Sequence, residues 1–465
     1  MVPTPHYAGK RVVVMGLGKS GLSAAASLRA GGAKIEVWDD KKASLDEATA
    51  KGFPAFNDNL ADVAAVIWSP GVPHGFPRVH PLAAKARAAH VPLVCDVDLL
   101  LEAQPAATVV AITGTNGKST TTSLTAHLFQ QAGRKTAVGG NLGIPALDLE
   151  PLAKDGTYVL ELSSYQLELV PHLAADTAVL LNITPDHLDR HGGMDGYIAA
   201  KKRVFVGQRG HRAAIIGIDD EHCAAICEAL RKDGTHRVIP ISVKQAVSGG
   251  VYVTDGVLID ATAGAPRTIL DLRTVARLPG AHNWQNAAAA AAAALSQGLS
   301  IDAIAAGLKT FPGLKHRQEL VAVVNNAAFV NDSKATNADA TEKALVCYDN
   351  IYWIAGGLPK EGGIAPLAPL FGRVRHAFLI GQAASDFASV LKGKVPLSLF
   401  ESLEAAVAAA GNMALAEKLP QATVLLSPAC ASFDMFKSFE HRGDVFRDTV
   451  LKLWPQTAPQ NMRAS

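Results

Sequence analysis

Cysteine is scarce in this 465-residue chain: Cys95, Cys223, Cys227, Cys347 and Cys430 are the only five, and no two form C-x-x-C. Such spacing points to reduced thiols, which fits the cytosol. The one close pair, Cys223 and Cys227, falls one helical turn apart. A zinc pair is one reading there, and ordinary buried thiols are the simpler one. Aromatic residues make up only 6%. Blocks of like charge are absent, and 44 Lys and Arg stand against 42 Asp and Glu. That balance gives no nucleic-acid footprint and no membrane-surface helix. Long apolar runs are missing too. "NAAAAAAAALSQG" is too short and too rich in alanine to span a bilayer, and "MVPTPHYAGKRVVVMG" has no signal-peptide apolar region. The expectation is a cytoplasmic chain without nucleic-acid or membrane partners.

What is present is apolar sequence in short, regular doses. Hydrophobic residues are 49% of the chain, and at roughly 150 residues per domain the length suggests about three domains. "RVVVMG", "KIEVWDD" and "AAVIWSPGV" read as strands of a first unit running to Val97, with "GLSAAASLRAGG" as a helix ending on glycine. A second unit opens with "ATVVAITGTNGKSTTTSLTAHLFQQAG", and "GTYVLELSSYQ", "TAVLLNITPDH" and "RAAIIGIDDEH" follow as strands closed by polar residues. "GGVYVTDGVLIDA" reads as a small antiparallel hairpin, and "HNWQNAAAAAAAALSQG" as the helix ending this unit. A third unit starts near "FPGLKHRQEL", with strands "NIYWIAGG", "HAFLIGQ" and "ATVLLSPA", and the tail "PQTAPQNMRAS" is expected to be disordered. Alternating strands and helices predict an α/β fold with mostly parallel sheets. Ligands then belong beyond the carboxyl ends of the strands.

Two glycine loops sit at such ends. Gly16, Gly18 and Gly21 have G-x-G-x-x-G spacing after a valine strand, and Asp39 closes the next strand. This is the spacing of a diphosphate site, in which an acidic residue bonds a ribose hydroxyl. A nicotinamide nucleotide is one candidate ligand and another nucleotide is the other. The second loop is Gly114-Thr115-Asn116-Gly117-Lys118-Ser119-Thr120. A full Walker A motif needs glycine six residues before the lysine, where Ile112 stands. The physics survives this departure. Glycines let N–H groups wrap a phosphate, the following helix adds its positive end, Lys118 reaches the outer phosphates and Ser119 can ligate magnesium.

Three further candidates follow that loop. Glu161 closes a strand and is well placed for magnesium. "HLDRH" offers His187, Asp189 and His191 either as a zinc site or as a polar loop. Lys201 and Lys202 are either a solvated helix face or hold a catalytic amine. In the third unit Arg317, Lys334, Lys360 and Lys437 form a possible cationic ring suited to phosphates and an acidic substrate.

Taken together these motifs resemble the Mur ligases, the ATP-dependent amino-acid ligases of peptidoglycan precursor synthesis, and within them the D-glutamate-adding branch. The resemblance spans nearly the whole chain and rests on "TGTNGKSTT", "GGNLG", "LELSSYQLE", "NITPDHLDRH", "YIAAKKR", "HNWQN", "GLKHRQE", "NDSKATN" and "SPACASFDMFKSFEHRG", in that order. It implies a Rossmann-like UDP-binding domain at 1–97, a P-loop-type ATPase domain at 98–312 and a Rossmann-like D-glutamate-binding domain at 313–465. ATP and Mg2+ are the implied cofactors, UDP-N-acetylmuramoyl-L-alanine and D-glutamate the substrates, and the working form a monomer.

By the same resemblance the first loop (Gly16, Leu17, Gly18, Lys19, Ser20) holds the UDP diphosphate rather than NAD, with Asp39, Ser69, Pro70 and Gly71 lining its pocket. Asn141, Gln166 and His187 would contact the muramoyl part. Residues 114–120 with Asn283, Asn286, Arg317, Asp332 and Lys334 would bind ATP. Thr336, Lys360, Ser432, Phe433 and Phe439 would meet D-glutamate. Lys118, Glu161, His187 and Lys201 are the implied catalytic set; Ser119 and Glu161 would ligate one magnesium, and His187 with a carbamylated Lys201 a second. One feature departs from the family pattern: its Asn-x-Asp-Asp is Gly217-Ile218-Asp219-Asp220 here, which puts one nucleotide contact in doubt. Sister Mur ligases remain the nearest alternatives, although the D-N-P-R motif of the diaminopimelate- or lysine-adding enzyme does not occur. An NAD-dependent dehydrogenase would leave the Gly-Lys-Ser loop idle.

Overall fold

A computed structural model describes residues 1–208, 210, 212–360 and 362–455. All but the first residue of the C-terminal tail therefore lies outside the described residues. The chain forms two compact units, one of residues 1–272 with 283–310, the other of 273–282 with 311 onward.

The first unit carries two sheets. Strands β1 (Arg11–Met15), β2 (Lys34–Trp38), β3 (Val63–Trp68) and β4 (Leu93–Val94) are all parallel, in the order β2-β1-β3-β4. The second sheet has nine strands: β5 (Thr108–Thr113), β6 (Thr136–Gly140), β7 (Thr157–Glu161), β8 (Thr177–Leu180), β9 (Ala213–Gly217), β10 (Arg237–Ser242), β11 (Val251–Thr254), β12 (Val257–Asp260) and β13 (Arg267–Asp271). Their order is β13-β12-β11-β10-β9-β8-β5-β7-β6, antiparallel only where β12 meets β11 and β13. The expected hairpin is thus β11 and β12. The order reverses at β5, flanked by β7 and β8, and in an open sheet that switch point opens a crevice at the strand ends.

The central strands are apolar in their middles and buried along their length because helices cover both faces. β7, β8 and β9 are buried at every position. The alanine run finds its place in the helix Ala281–Ser296, where Ala287 to Ala294 are wholly buried. A helix that is apolar all round belongs inside a core. Among the described residues no helix is long and apolar enough to cross a membrane.

The second unit holds β14 (Glu319–Val324), β15 (Ala327–Asn331), β16 (Ile351–Gly356), β17 (Val374–Ile380), β18 (Leu397–Phe400) and β19 (Ala422–Leu426). Their order is β14-β15-β19-β16-β17-β18, parallel apart from β14 with β15. Two buried clusters form its core. One contains Phe329, Tyr352, Phe378 and Phe446, the other Trp353, Phe371, Leu379 and Leu425. Side chains from consecutive β16 residues enter opposite clusters, as strand alternation requires.

Candidate active site

The first glycine loop leaves β1 with Gly16 in the left-handed region (φ +86°), where a Cβ would also collide with Ser69. Gly18 caps the helix Lys19–Ala30, so Lys19 and Ser20 form its first turn. Asp39 accepts the Leu17 N–H at 2.7 Å and the Lys41 N–H at 2.8 Å, one on each carboxylate oxygen. It therefore ties the loop to the end of β2. Ser69 N–H donates to the Met15 carbonyl at 2.8 Å, which brings Ser69, Pro70 and Gly71 beside the same loop.

Next to it lies a cavity of about 610 Å³ that the sequence motifs did not disclose. Trp38, Phe56, Val72 and Leu82 give it apolar walls, and its charges are mixed: Arg78 and Lys85 stand with Asp40 and Asp58, and Lys85 pairs with Asp58. Its aromatic lining comes from separate elements, so no local motif announces it.

The second loop stands at the end of β5. Gly117 is left-handed (φ +84°) and abuts the Asn286 amide, so no side chain fits there. The loop is held from β8: Thr115 N–H donates to the Asn182 carbonyl at 2.9 Å, and Thr115 Oγ1 donates to the Thr184 carbonyl at 3.1 Å. Asn286 accepts the Thr121 hydroxyl at 3.2 Å and donates to Asn283 Oδ1 at 3.3 Å. Both asparagines are buried. Asn286 supports the loop from behind, a role its motif spacing does not reveal.

Two lysines converge on one carbonyl. Lys118 Nζ donates to the Gly114 oxygen at 3.0 Å and to that of Thr115 at 2.8 Å, while Lys201 Nζ donates to the Gly114 oxygen at 2.7 Å. Lys201 is 1% exposed and lies over the Tyr197 ring. Burial, and then the Lys118 charge, push its amine down to about 7. Lys202 is exposed. The structure therefore separates two lysines that sequence spacing left equivalent.

Glu161 ends β7, paired with the strand that carries the loop. Its Oε1 accepts Asn141 Nδ2 at 2.6 Å, and its buried Oε2 has no hydrogen-bond partner. Gln166 is buried, and its side-chain oxygen accepts from Ser163 in a capping box for the short helix Ser164–Leu167. His187 is half exposed, precedes the helix Leu188–His191 in a left-handed conformation, and lies 5.2 Å from the Tyr165 ring.

The zinc reading of "HLDRH" fails on geometry. His191 Nδ1 lies 3.0 Å from Glu168 Oε1, and its Nε2 lies 2.9 Å from Ser164 Oγ, so both ring nitrogens are taken. Among the described residues no group of three or more His, Cys, Asp or Glu could hold an ion, and the described cysteines are all free.

Glu168, Arg190 and His74, none of them singled out by motif, fasten the loop after β3 to this region. Glu168 Oε2 is 3.1 Å from His74 Nε2, and Arg190 donates to the carbonyls of Pro70, Val72 and Phe76. Burial alone would raise the Glu168 carboxyl, but hydrogen bonding from His191 and His74 overcomes it and holds the group at about 2. Because this lies below its ordinary 4.5, the stability it lends is complete above that value and is lost as pH falls through about 2. Glu168→Gln is expected to lower the thermal midpoint at pH 7 by about 2–4 °C. It should also flatten the loss of stability between about pH 5 and pH 2. Thermal denaturation across pH checks both.

In the second unit Asp332 directly follows β15 and is buried, accepting Gln318 N–H at 3.2 Å and the Ser427 hydroxyl at 2.9 Å; burial pushes its carboxyl up to about 7. Lys334 sits over the Phe439 ring, and Lys360 Nζ reaches Thr336 Oγ1 at 3.5 Å. Ser432 is buried, and Phe433 is 71% exposed. Arg442, inside "FEHRG" but not singled out, is fully buried; it donates to the carbonyls of Ser333, Cys430 and Ala431 and so joins two of these loops. An arginine in a charged motif reads as surface, and only packing shows it inside.

Residues 10–94 match the family described as "Mur ligase MurD-like, N-terminal domain", and residues 112–294 match "Mur ligase middle domain". The chain is 53% identical to the UDP-N-acetylmuramoylalanine–D-glutamate ligase of Rhodospirillum rubrum, covering 97% of each chain. It is 55% identical to that of Paramagnetospirillum magneticum, covering 97% of this chain and 98% of the relative. The chain belongs to the UDP-N-acetylmuramoylalanine–D-glutamate ligase family. Solved structures share the ligase fold at lower identity. The UDP-N-acetylmuramate-alanine ligase of Thermotoga maritima superposes with a TM-score of 0.57 at 18% identity, covering 96% of this chain and 99% of that one. MurF of Acinetobacter baumannii gives 0.58 at 20%, covering 97% and 93%.

Proposed function

We propose that this ligase joins D-glutamate to the L-alanyl carboxylate of UDP-N-acetylmuramoyl-L-alanine, converting ATP to ADP and phosphate, in the cytoplasm and as a monomer. A carboxylate is a poor acyl donor. One of its oxygens therefore attacks the γ-phosphorus, ADP leaves, and an acyl phosphate forms. The D-glutamate amine attacks the acyl carbon and loses a proton, and the tetrahedral intermediate collapses with release of phosphate.

The observation that carries this reading is the glycine loop at the end of β5, with Lys118 held on Gly114 beside the strand that ends in Glu161. Anionic reactants can approach only where positive charge and N–H groups are already oriented. Residues 114–120 would cradle the phosphates, supported by Asn283 and Asn286, with Arg317, Asp332 and Lys334 as further ATP contacts. Residues 16–20, Asp39 and 69–71 would hold the UDP end. Asn141, Gln166 and His187 would face the muramoyl part, and Thr336, Lys360, Ser432, Phe433 and Phe439 would bind D-glutamate. The three segments 1–97, 98–312 and 313–465 divide these tasks.

The donors suit Mg2+. Glu161 Oε2 is a buried hard oxygen with no hydrogen-bond partner, and Ser119 lies in the first turn of the loop helix. So sparse a protein set matches an ion that keeps water and phosphate oxygens as its other ligands. Ser119 and Glu161 would hold one ion, and His187 with a carbamylated Lys201 a second. When bound, the metal neutralises phosphate charge.

The test is phosphate release from ATP and magnesium with UDP-N-acetylmuramoyl-L-alanine, scanning D-Glu, L-Glu, L-Ala and diaminopimelate. Release that requires both the UDP substrate and D-Glu is expected. Release with another amino acid would move the chain to a sister ligase. No release under any pairing would overturn the reading.

A further inference from the structure

A chain of side-chain hydrogen bonds ends on the phosphate loop. Asn182, just beyond β8, accepts the Asn116 N–H at 2.9 Å. It donates to the Asn116 carbonyl at 3.3 Å and to Gln285 Oε1 at 3.2 Å. Gln285 Nε2 in turn donates to Asp219 Oδ2 at 3.1 Å. Asp219 is itself fixed by the Ser242 hydroxyl at 2.6 Å and the Val243 N–H at 3.0 Å. One helix side chain thus connects a loop residue to the ends of β8, β9 and β10.

Gly217 sharpens the point. A Cβ there would overlap the Leu181 carbonyl oxygen, so this backbone admits only glycine. Gln285 Nε2 lies 3.4 Å from where that Cβ would stand.

We propose that Gln285 is a positioning residue for the phosphate loop. It holds Asn182, and through it Asn116, in the register that turns the loop N–H groups toward nucleotide phosphates. This rests on reading residues 114–120 as the ATP loop. Gln285 acts through Asn182 and does not touch the reacting atoms.

The experiment uses the full chain and compares Gln285→Met, Asn182→Ala, the double variant and Lys118→Ala. KM and kcat are measured for magnesium-ATP and for UDP-N-acetylmuramoyl-L-alanine, alongside the thermal midpoint. Gln285→Met keeps length and loses both hydrogen bonds. It is expected to raise the ATP KM about tenfold, the effect of one lost polar contact. The KM for the UDP substrate should be unchanged, and the thermal midpoint should fall by no more than about 2–4 °C. The double variant should be no worse than Asn182→Ala alone, to within about twofold. If Gln285→Met does not fold, Gln285→Leu replaces it with the same expected rise, since leucine likewise offers neither an acceptor to Asn182 nor a donor to Asp219. An ATP KM within about twofold of wild type, or effects that multiply in the double variant, overturns the proposal. Unimpaired phosphate release by Lys118→Ala would instead overturn the loop reading beneath it.

Discussion

Lys118→Ala is expected to cut ATP-dependent phosphate release by roughly 10²–10³-fold or more, the loss that follows removal of one preorganised donor aimed at developing negative charge. Lys118 is the first residue of the loop helix, and its ammonium is held on the Gly114 and Thr115 carbonyls. Alanine retains the helix start, because the loop is fixed separately by Asn182, Thr184 and Asn286. Fold and UDP-substrate affinity should survive while turnover disappears. The check is phosphate release at saturating substrates, with calorimetric binding of the UDP substrate as the control. Normal release would remove Lys118 from the chemistry.

Lys201→Ala is expected to lose activity on the order of a hundredfold and to regain part of it with added formate or acetate. Carbamylation joins the amine nitrogen to CO2 with loss of a proton, and only the neutral amine can do this. An ordinary lysine, near 10.5, is almost wholly ammonium at neutral pH, whereas burial and the Lys118 charge bring Lys201 down to about 7. The side chain is also enclosed, so a small carboxylate entering the space left by alanine can stand in for the carbamate. Lys202→Ala, on the exposed face, should behave as wild type. Full activity in Lys201→Ala, or failure of every short carboxylate to restore any, would sink the carbamate assignment.

Much of the site was legible because its signals are local. A glycine that must be left-handed, a lysine opening a helix and a glutamate closing a strand each occupy a fixed place relative to one element. The order of motifs then named the family. Side chains that work across elements carry no such mark. Glu168 owes its depressed carboxyl to histidines at positions 74 and 191, and Gln285 meets Asp219 and Asn182 only after three strands pair. Asp39 shows a side chain with more to do than its spacing tells: in the fold each of its oxygens also accepts a backbone N–H that ties the loop to β2.

By itself the amino-acid sequence determined the α/β class, the two nucleotide-type loops and the ligase family, because periodicity, glycine placement and motif order are properties of one dimension. Tertiary structure alone decided which lysine is buried at the loop, why "HLDRH" cannot bind zinc, where the aromatic cavity opens and what supports Asn116. Burial, shared hydrogen bonds and shifted proton affinities arise between residues far apart in the chain, and they exist only once the strands are in register.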